Sequence, residues 1–277
     1  MSSQDTVIAC VIGSPIVQSL SPVIHNAAFA YAGRVGVYTA VETSLDECAS
    51  VVARMRKLGV RGLSVTMPLK TEVIHCLDAL DVTAKTLNAV NCVSIIDGIA
   101  TGYNTDGDGC CDALLARSHS QIDGATAVVL GAGGTARSVA LAMLRRGARV
   151  IIINRTDSTA HELVALLSSF GEISVGTESD ITSATIVVNA TSVGMNTSQT
   201  AISGQFLHAD LVVLDAVYSP LNTKLLTLAE QAGATVIDGL WMLIYQAVRQ
   251  QEIWFTDTPK PNVMRTAAEQ ELARRAK

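Results

Sequence analysis

The sequence predicts an α/β protein of two units: an N-terminal one with a mixed, mainly parallel sheet, and a C-terminal, doubly wound Rossmann-like one. Three observations predict it. Short Val/Ile/Leu runs alternate with helical patterns along the chain, as in TVIACVIG, GLSVT, ATAVVLG, RVIIINR and LVVLDAVY. Of the 277 residues 49% are hydrophobic and only 16% charged, against about 25% in an ordinary domain, which fits strands covered on both faces. A glycine-rich run, Gly131-Ala132-Gly133-Gly134, follows directly on one of those strands. The same numbers limit function. With 20 basic and 25 acidic residues and a net charge of −5, the chain does not suit the displacement of counterions from a nucleic acid. It has no long unbroken apolar run, MSSQDTVIAC carries no basic-then-apolar leader, and the six cysteines show no CxxC pairing. The expectation is a cytoplasmic protein with reduced thiols, with neither nucleic acid nor membrane as partner.

The elements follow in order. The first strand, TVIACVIG, leads to a helix from Pro22 to about Ala32, with Ser21 as its N-cap. VGVYTAVE is a strand, Leu45 to Leu58 a helix, and GLSVT the third strand. Thr66 is expected to cap a helix entered at Pro68, with Leu69, Val73, Cys76/Leu77 and Leu80 on one face. That places Lys70 in a first turn, where the macrodipole disfavours an ammonium and an amine is a candidate proton carrier. NCVSII and IATGYN flank Asp97-Gly98, a two-residue turn that makes them a hairpin. A helix over Cys111 to Arg117 precedes ATAVVLG, a helix from Thr135 to Arg146, RVIIINR, TIVVNA, LVVLDAVY and ATVIDG. The last amphipathic helix, from Leu240 to about Phe255, carries both tryptophans and is expected to pack back onto the first unit. The units are therefore expected at 1–107, completed by 240–277, and at 108–239.

Gly131-Ala132-Gly133-Gly134-Thr135-Ala136 reads as a GxGxxA turn between strand and helix. The first glycine makes the bend, the second admits a pyrophosphate to the backbone N–H groups, and Ala136 permits close packing. Where an acidic residue would hold the ribose of NAD, the chain has Asn154-Arg155-Thr156, which suits the 2′-phosphate of NADP; Asp157 works against that preference. Asn104, Asp106, Asp108 and Gly109 resemble the start of a calcium loop, but the twelfth position is Leu115 rather than Glu, so no metal is expected.

Taken together, VIGSPIVQSLSPVIHN, SVTMPLK, AVNCV, GYNTDGDG, LGAGGTAR, NRT, NATSVGM, DAVYSPLNT and DGLWMLIYQAV stand in the order found in shikimate dehydrogenases, and the chain is similar to that family over nearly its whole length. The resemblance implies NADP-linked, reversible reduction of 3-dehydroshikimate to shikimate, with shikimate or 3-dehydroshikimate as the small-molecule partner; a monomer or homodimer is expected. It implies that Lys70 and Asp106 are the catalytic pair and that Ser19, Ser21, Thr66, Asn91, Asp106, Tyr218 and Gln246 hold the substrate. Thr191, Ala216, Gly239 and Met242 join the glycine turn and Asn154, Arg155 and Thr156 on the cofactor. Four positions depart from the family pattern. Ser64 replaces Asn, Asn88 and Trp241 each replace Gly, with Trp241 expected to crowd the helix start, and Thr159 stands where a second arginine is often found. The rival readings are a quinate/shikimate dehydrogenase accepting NAD and a non-catalytic shikimate-binding paralogue.

Overall fold

A computed structural model describes residues 7–275; Thr6 of the first expected strand and the last two residues of the expected C-terminal span lie outside it. The chain divides into one unit running up to Thr105 and resuming at Ala247, and a second spanning Asp106–Gln246.

The first unit opens with β1 (Val7–Gly13), α1 (Ser21–Tyr31), β2 (Val37–Glu42), α2 (Cys48–Lys57) and β3 (Gly62–Val65). β4 (Ala79–Leu80), α3 (Val82–Leu87), β5 (Cys92–Ile96) and β6 (Ile99–Tyr103) follow. The sheet order is β2-β1-β3-β5-β6-β4; β1 runs parallel to β2 and β3, β5 is antiparallel to β3 and β6, and β4 is parallel to β6. Alternation along β1 shows why the sheet is buried on both sides. Cys10 and Ile12 enter a core with Val52, Leu63, Leu69 and Val73, while Ala9 and Val11 enter another with Phe29, Tyr38 and Trp254. The expected hairpin forms, with φ of 51° at Asp97 and 79° at Gly98.

Three local expectations are corrected here. Ser21 is the first residue of α1 rather than its cap, and no side chain caps from Leu20; the Ser19 hydroxyl instead accepts the Ser21 N–H at 3.2 Å. No helix begins at Pro68. Residues 67–71 are turns and only a 3₁₀ segment, Glu72–Cys76, follows, because the Lys70 carbonyl accepts the Val90 N–H (2.8 Å) rather than continuing a helical ladder. Lys70 is thus not in a helix's first turn. β4 and α3 were not expected; α3 is capped by Asp81, whose carboxylate accepts the Ala84 N–H at 2.7 Å, and closes on Asn88 in the left-handed region.

The second unit comprises α4 (Asp106–Arg117), β7 (Thr126–Leu130), α5 (Gly134–Leu144), β8 (Arg149–Ile153), α6 (Asp157–Leu167) and β9 (Ile173–Val175). It continues through β10 (Ile186–Asn189), β11 (Val212–Asp215), α7 (Lys224–Gln231) and β12 (Thr235–Ile237). Its sheet, β12-β11-β10-β7-β8-β9, is wholly parallel with the doubly wound strand order. α4 starts five residues before the expected Cys111. Glycine is a poor helix former, but a Cβ on Gly107 would meet the Ser138 carbonyl of α5 and lie 2.8 Å from Ala142 Cβ, so the two helices approach as closely as they do only with glycine there.

α8 (Gly239–Phe255) begins in the second unit, and from Ala247 its residues belong to the first, as do those of α9 (Pro261–Arg275). Trp254 is fully buried in the first unit and its indole N–H donates to the Val93 carbonyl at 3.0 Å, so the far half of α8 packs there as expected.

Candidate active site

In the first unit the site residues stand on the connections at strand ends. The loop between β1 and α1 carries Ser19, and the buried Ser21 opens α1. The turn after β3 carries Thr66 and the half-buried Lys70. The Thr66 N–H donates to the Ile12 carbonyl (3.0 Å) and its own carbonyl accepts from Leu69 (2.9 Å). Between α3 and β5, Val90 donates its N–H to Lys70, and the buried Asn91 turns its amide on Thr105: Oδ1 accepts the Thr105 N–H (2.8 Å) and Nδ2 donates to Thr105 Oγ1 (3.0 Å). The Val90-Asn91 dipeptide therefore fixes the backbone at Lys70 and at Thr105, the residue that precedes Asp106.

Behind these groups lies a network that sequence reasoning missed. Tyr38 Oη donates to Ser64 Oγ (2.6 Å), Ser64 donates to Gln250 Oε1 (2.5 Å), and Gln250 Nε2 donates to the Asn91 carbonyl (3.2 Å). That carbonyl can only accept, which orients the Gln250 amide and the two hydroxyls upstream of it. Ser64, standing where the family pattern has Asn, is thus a buried link between Tyr38 and α8. Burial pushes the Tyr38 phenol well above its ordinary range, opposed by its contact with the Ser64 hydroxyl. The Tyr38 ring stacks on His25 (4.2 Å, 6° between planes), whose Nδ1 meets Gln251 Nε2 at 2.9 Å. Burial lowers the His25 pKa to about 3, so the ring is neutral. The only sequence hint of this network was polar residues at buried positions: a tyrosine and a serine in apolar strands, and Gln250 one turn beyond Gln246.

In the second unit β7 runs into Gly131, at φ 110°, followed by Ala132 and by Gly133 as the N-cap of α5. A Cβ on Gly133 or Gly134 would meet nothing within 4 Å, and both are exposed, so packing requires glycine at neither; Thr135 is half-buried and Ala136 fully buried against the sheet. Open glycines on the first N–H groups of a helix fit a pyrophosphate lying against the backbone. Arg155 is exposed at the end of β8, and among the described residues no ion pair involves it. Asn154 Nδ2 donates to the Thr156 carbonyl (2.9 Å) and to Thr159 Oγ1 (2.6 Å), so the residue in place of a second arginine braces this loop. Thr156 precedes α6 and Asp157 is exposed in its first turn.

Asp215 is fully buried at the end of β11. Its carboxylate accepts from Thr223 Oγ1 (2.6 Å), Asn189 Nδ2 (2.8 Å) and the Val217 N–H (3.0 Å), and Asn189 Oδ1 accepts from Thr191 Oγ1 (2.7 Å). Desolvation raises the Asp215 pKa and these donors oppose the shift. The network sets the loops bearing Thr191, Ala216 and Tyr218, and it too went unread in sequence. Packing accounts for Gly239: a Cβ there would lie 2.5 Å from the Ala216 carbonyl oxygen. Met242 is buried, Gln246 donates from Nε2 to the Leu243 carbonyl (2.9 Å), and Tyr218 is half-buried. Trp241 packs beneath the Arg117 guanidinium (4.3 Å) and beside Tyr245. Among the described residues no group of three or more His, Cys, Asp or Glu is placed to hold a metal ion, and no helix is long and apolar enough to cross a membrane.

Two family models match the chain: the shikimate dehydrogenase substrate binding domain over residues 11–93, and shikimate / quinate 5-dehydrogenase over residues 113–203. A protein of Pyrococcus abyssi named shikimate dehydrogenase (NADP(+)) is 38% identical over 95% of this chain and 97% of its own. The structure of shikimate 5-dehydrogenase from Thermus thermophilus in complex with NADP(H) and shikimate superposes with a TM-score of 0.88 at 33% identity, covering 95% of this chain and 99% of that one. Quinate dehydrogenase from Corynebacterium glutamicum in complex with NAD gives 0.87 at 30%, covering 95% and 98%. With a wholly parallel dinucleotide-type sheet, an open glycine turn and relatives matched from end to end, the chain belongs to the shikimate dehydrogenase family.

Proposed function

We propose that this chain is an NADP-dependent shikimate dehydrogenase, catalysing the reversible reduction of 3-dehydroshikimate to shikimate in aromatic amino-acid biosynthesis. The first unit is the substrate domain and the second the dinucleotide domain. The observation that carries the reading is the Val90-Asn91 tether, which ties the main chain of Lys70 and the residue before Asp106 to one dipeptide. Lys70 takes the proton from the ring hydroxyl during oxidation and returns it during reduction, with Asp106 as the second member of the catalytic pair. Ser19, Ser21 and Thr66 hold the carboxylate; Asn91, Gln246 and Tyr218 hold the ring hydroxyls and carbonyl. When bound, NADP supplies or receives the hydride. Gly131 to Thr135 receive its pyrophosphate, Asn154, Arg155 and Thr156 its 2′-phosphate, and Thr191, Ala216, Gly239 and Met242 line its nicotinamide side. The protein works in the cytoplasm as a monomer or homodimer.

A second reading, quinate oxidation with NAD, is favoured by one feature: the exposed Asp157 carboxylate beside Arg155, with Thr159 in place of a second cation. Absorbance of reduced nicotinamide, with shikimate and quinate crossed against NADP and NAD, separates the two. Shikimate with NADP is expected to give the highest kcat/KM; turnover with no combination would instead identify a shikimate-binding paralogue. Lys70→Ala is expected to lower kcat by about 10²- to 10⁴-fold with little change in shikimate affinity, and near-normal turnover would refute the proton-carrier role.

A further inference from the structure

The loop that presents Ser19 and Ser21 is braced from two sides. Its first half is held by Glu42, which accepts from Ser14 Oγ (2.7 Å) and the Ile16 N–H (3.1 Å). Ile16 is anchored in the core with Phe29 and Tyr38, whereas the next residue, Val17, is 80% exposed. The second half meets the last turn of α9, which packs along α1. There Arg275 Nη1 donates to the Gln18 carbonyl (2.8 Å) and to Gln18 Oε1 (3.3 Å), and Nη2 reaches the Ser19 carbonyl (3.4 Å). The guanidinium is aimed by Glu271, whose Oε1 accepts from Arg275 Nε at 2.7 Å and whose Oε2 accepts from Arg274 Nε at 2.7 Å. These two arginines hold the Glu271 carboxyl down at about 2, so the brace stays charged at any pH where the protein works.

We propose that Arg275 is a positioning residue for substrate binding, its planar fork fixing two successive carbonyls so that the Ser19 and Ser21 hydroxyls face the substrate carboxylate. This rests on the reading of those serines as the carboxylate holders. A lysine would place the charge but on a flexible stem, without the rigid planar fork that spans both carbonyls.

Arg275→Gln is expected to raise the KM for shikimate about threefold to tenfold, the worth of one net hydrogen bond, with kcat within about twofold and the KM for NADP unchanged. Arg275→Lys recovers part of the loss. Equal rises in both Michaelis constants, or an unchanged shikimate KM, would overturn the proposal. Glu271→Gln, which loosens the fork and keeps Arg275, decides the matter if Arg275→Gln fails to fold: an unchanged shikimate KM there is also a refutation. Calorimetric binding of shikimate to each protein is the parallel measurement. Absence of wild-type turnover would remove the proposed activity, while a Kd shift in Arg275→Gln would still support the brace and an unshifted Kd would refute it.

Discussion

Replacing Tyr38 by Phe removes one oxygen from the centre of the first unit and leaves the ring on His25, so the change reports on the phenol's hydrogen bonding to Ser64 and Ser21. The phenol donates to Ser64 at 2.6 Å, with Tyr38 2% and Ser64 6% exposed. Ser64 keeps its own bond to Gln250 but loses its donor at a buried position. A buried neutral hydrogen bond contributes about 1 kcal/mol net, and stranding one partner costs about 1–3 kcal/mol; the more apolar Phe ring offsets a fraction. The expected loss is about 1–2 kcal/mol, or roughly 2–8 °C in Tm. Urea unfolding followed by tryptophan fluorescence measures it, because Trp254 lies 6.3 Å from the Tyr38 ring. The midpoint should fall with an unchanged m-value. A loss below about 0.3 kcal/mol would mean that the relay from Tyr38 to Asn91 does not act as a unit, and the reading of Ser64 as its link would fail.

Gly107→Ala is expected to cost about 1–3 kcal/mol, because its Cβ meets the Ser138 carbonyl; the usual gain of alanine in a helix would refute the close α4–α5 approach, and a thermal melt decides. His25 is held neutral by burial, with a folded pKa of about 3 against 6.5 unfolded, so the unfolded state binds the extra proton and stability is lost as pH falls from about 6.5 toward 3. Between pH 7 and 5 this amounts to about 2 kcal/mol, measured by urea midpoints; His25→Gln should flatten that slope, and an equally steep one would contradict the assignment. Arg155→Ala should raise the KM for NADP selectively, and an equal rise for NAD would count against 2′-phosphate recognition.

Most of the fold was legible because both units obey local rules. β1 buries successive residues in different cores, the Asp97-Gly98 turn specifies its hairpin with two residues, and the glycine turn after β7 is a local pattern with a local cause. What escaped depends on distant partners. α4 was misread at its start because Gly107 is unfavourable in a helix until Ser138, 31 residues away, supplies the reason for it. The helix expected at Pro68 fails because a carbonyl at Lys70 is taken by Val90. Ser64 and Gln250 lie 186 residues apart and Arg275 and Gln18 257 apart, so no periodicity announces either pair. The candidate site was legible as a set of residues through resemblance, whereas its supports, Tyr38, Gln250, Asp215 and Arg275, emerged only from contacts.

The interrupted layout of the first unit has a consequence for synthesis on the ribosome. Asp106–Gln246 is one uninterrupted stretch that can fold as soon as it clears the exit tunnel, but the segment before it must wait. Until the final thirty or so residues emerge, its nascent sheet lacks the indole that fills the space above Gly62, the glutamine that Ser64 donates to, and the arginine beneath the serine loop. The part translated first is therefore completed last, and a polypeptide halted before Trp254 would expose an apolar sheet face to chaperones and proteases.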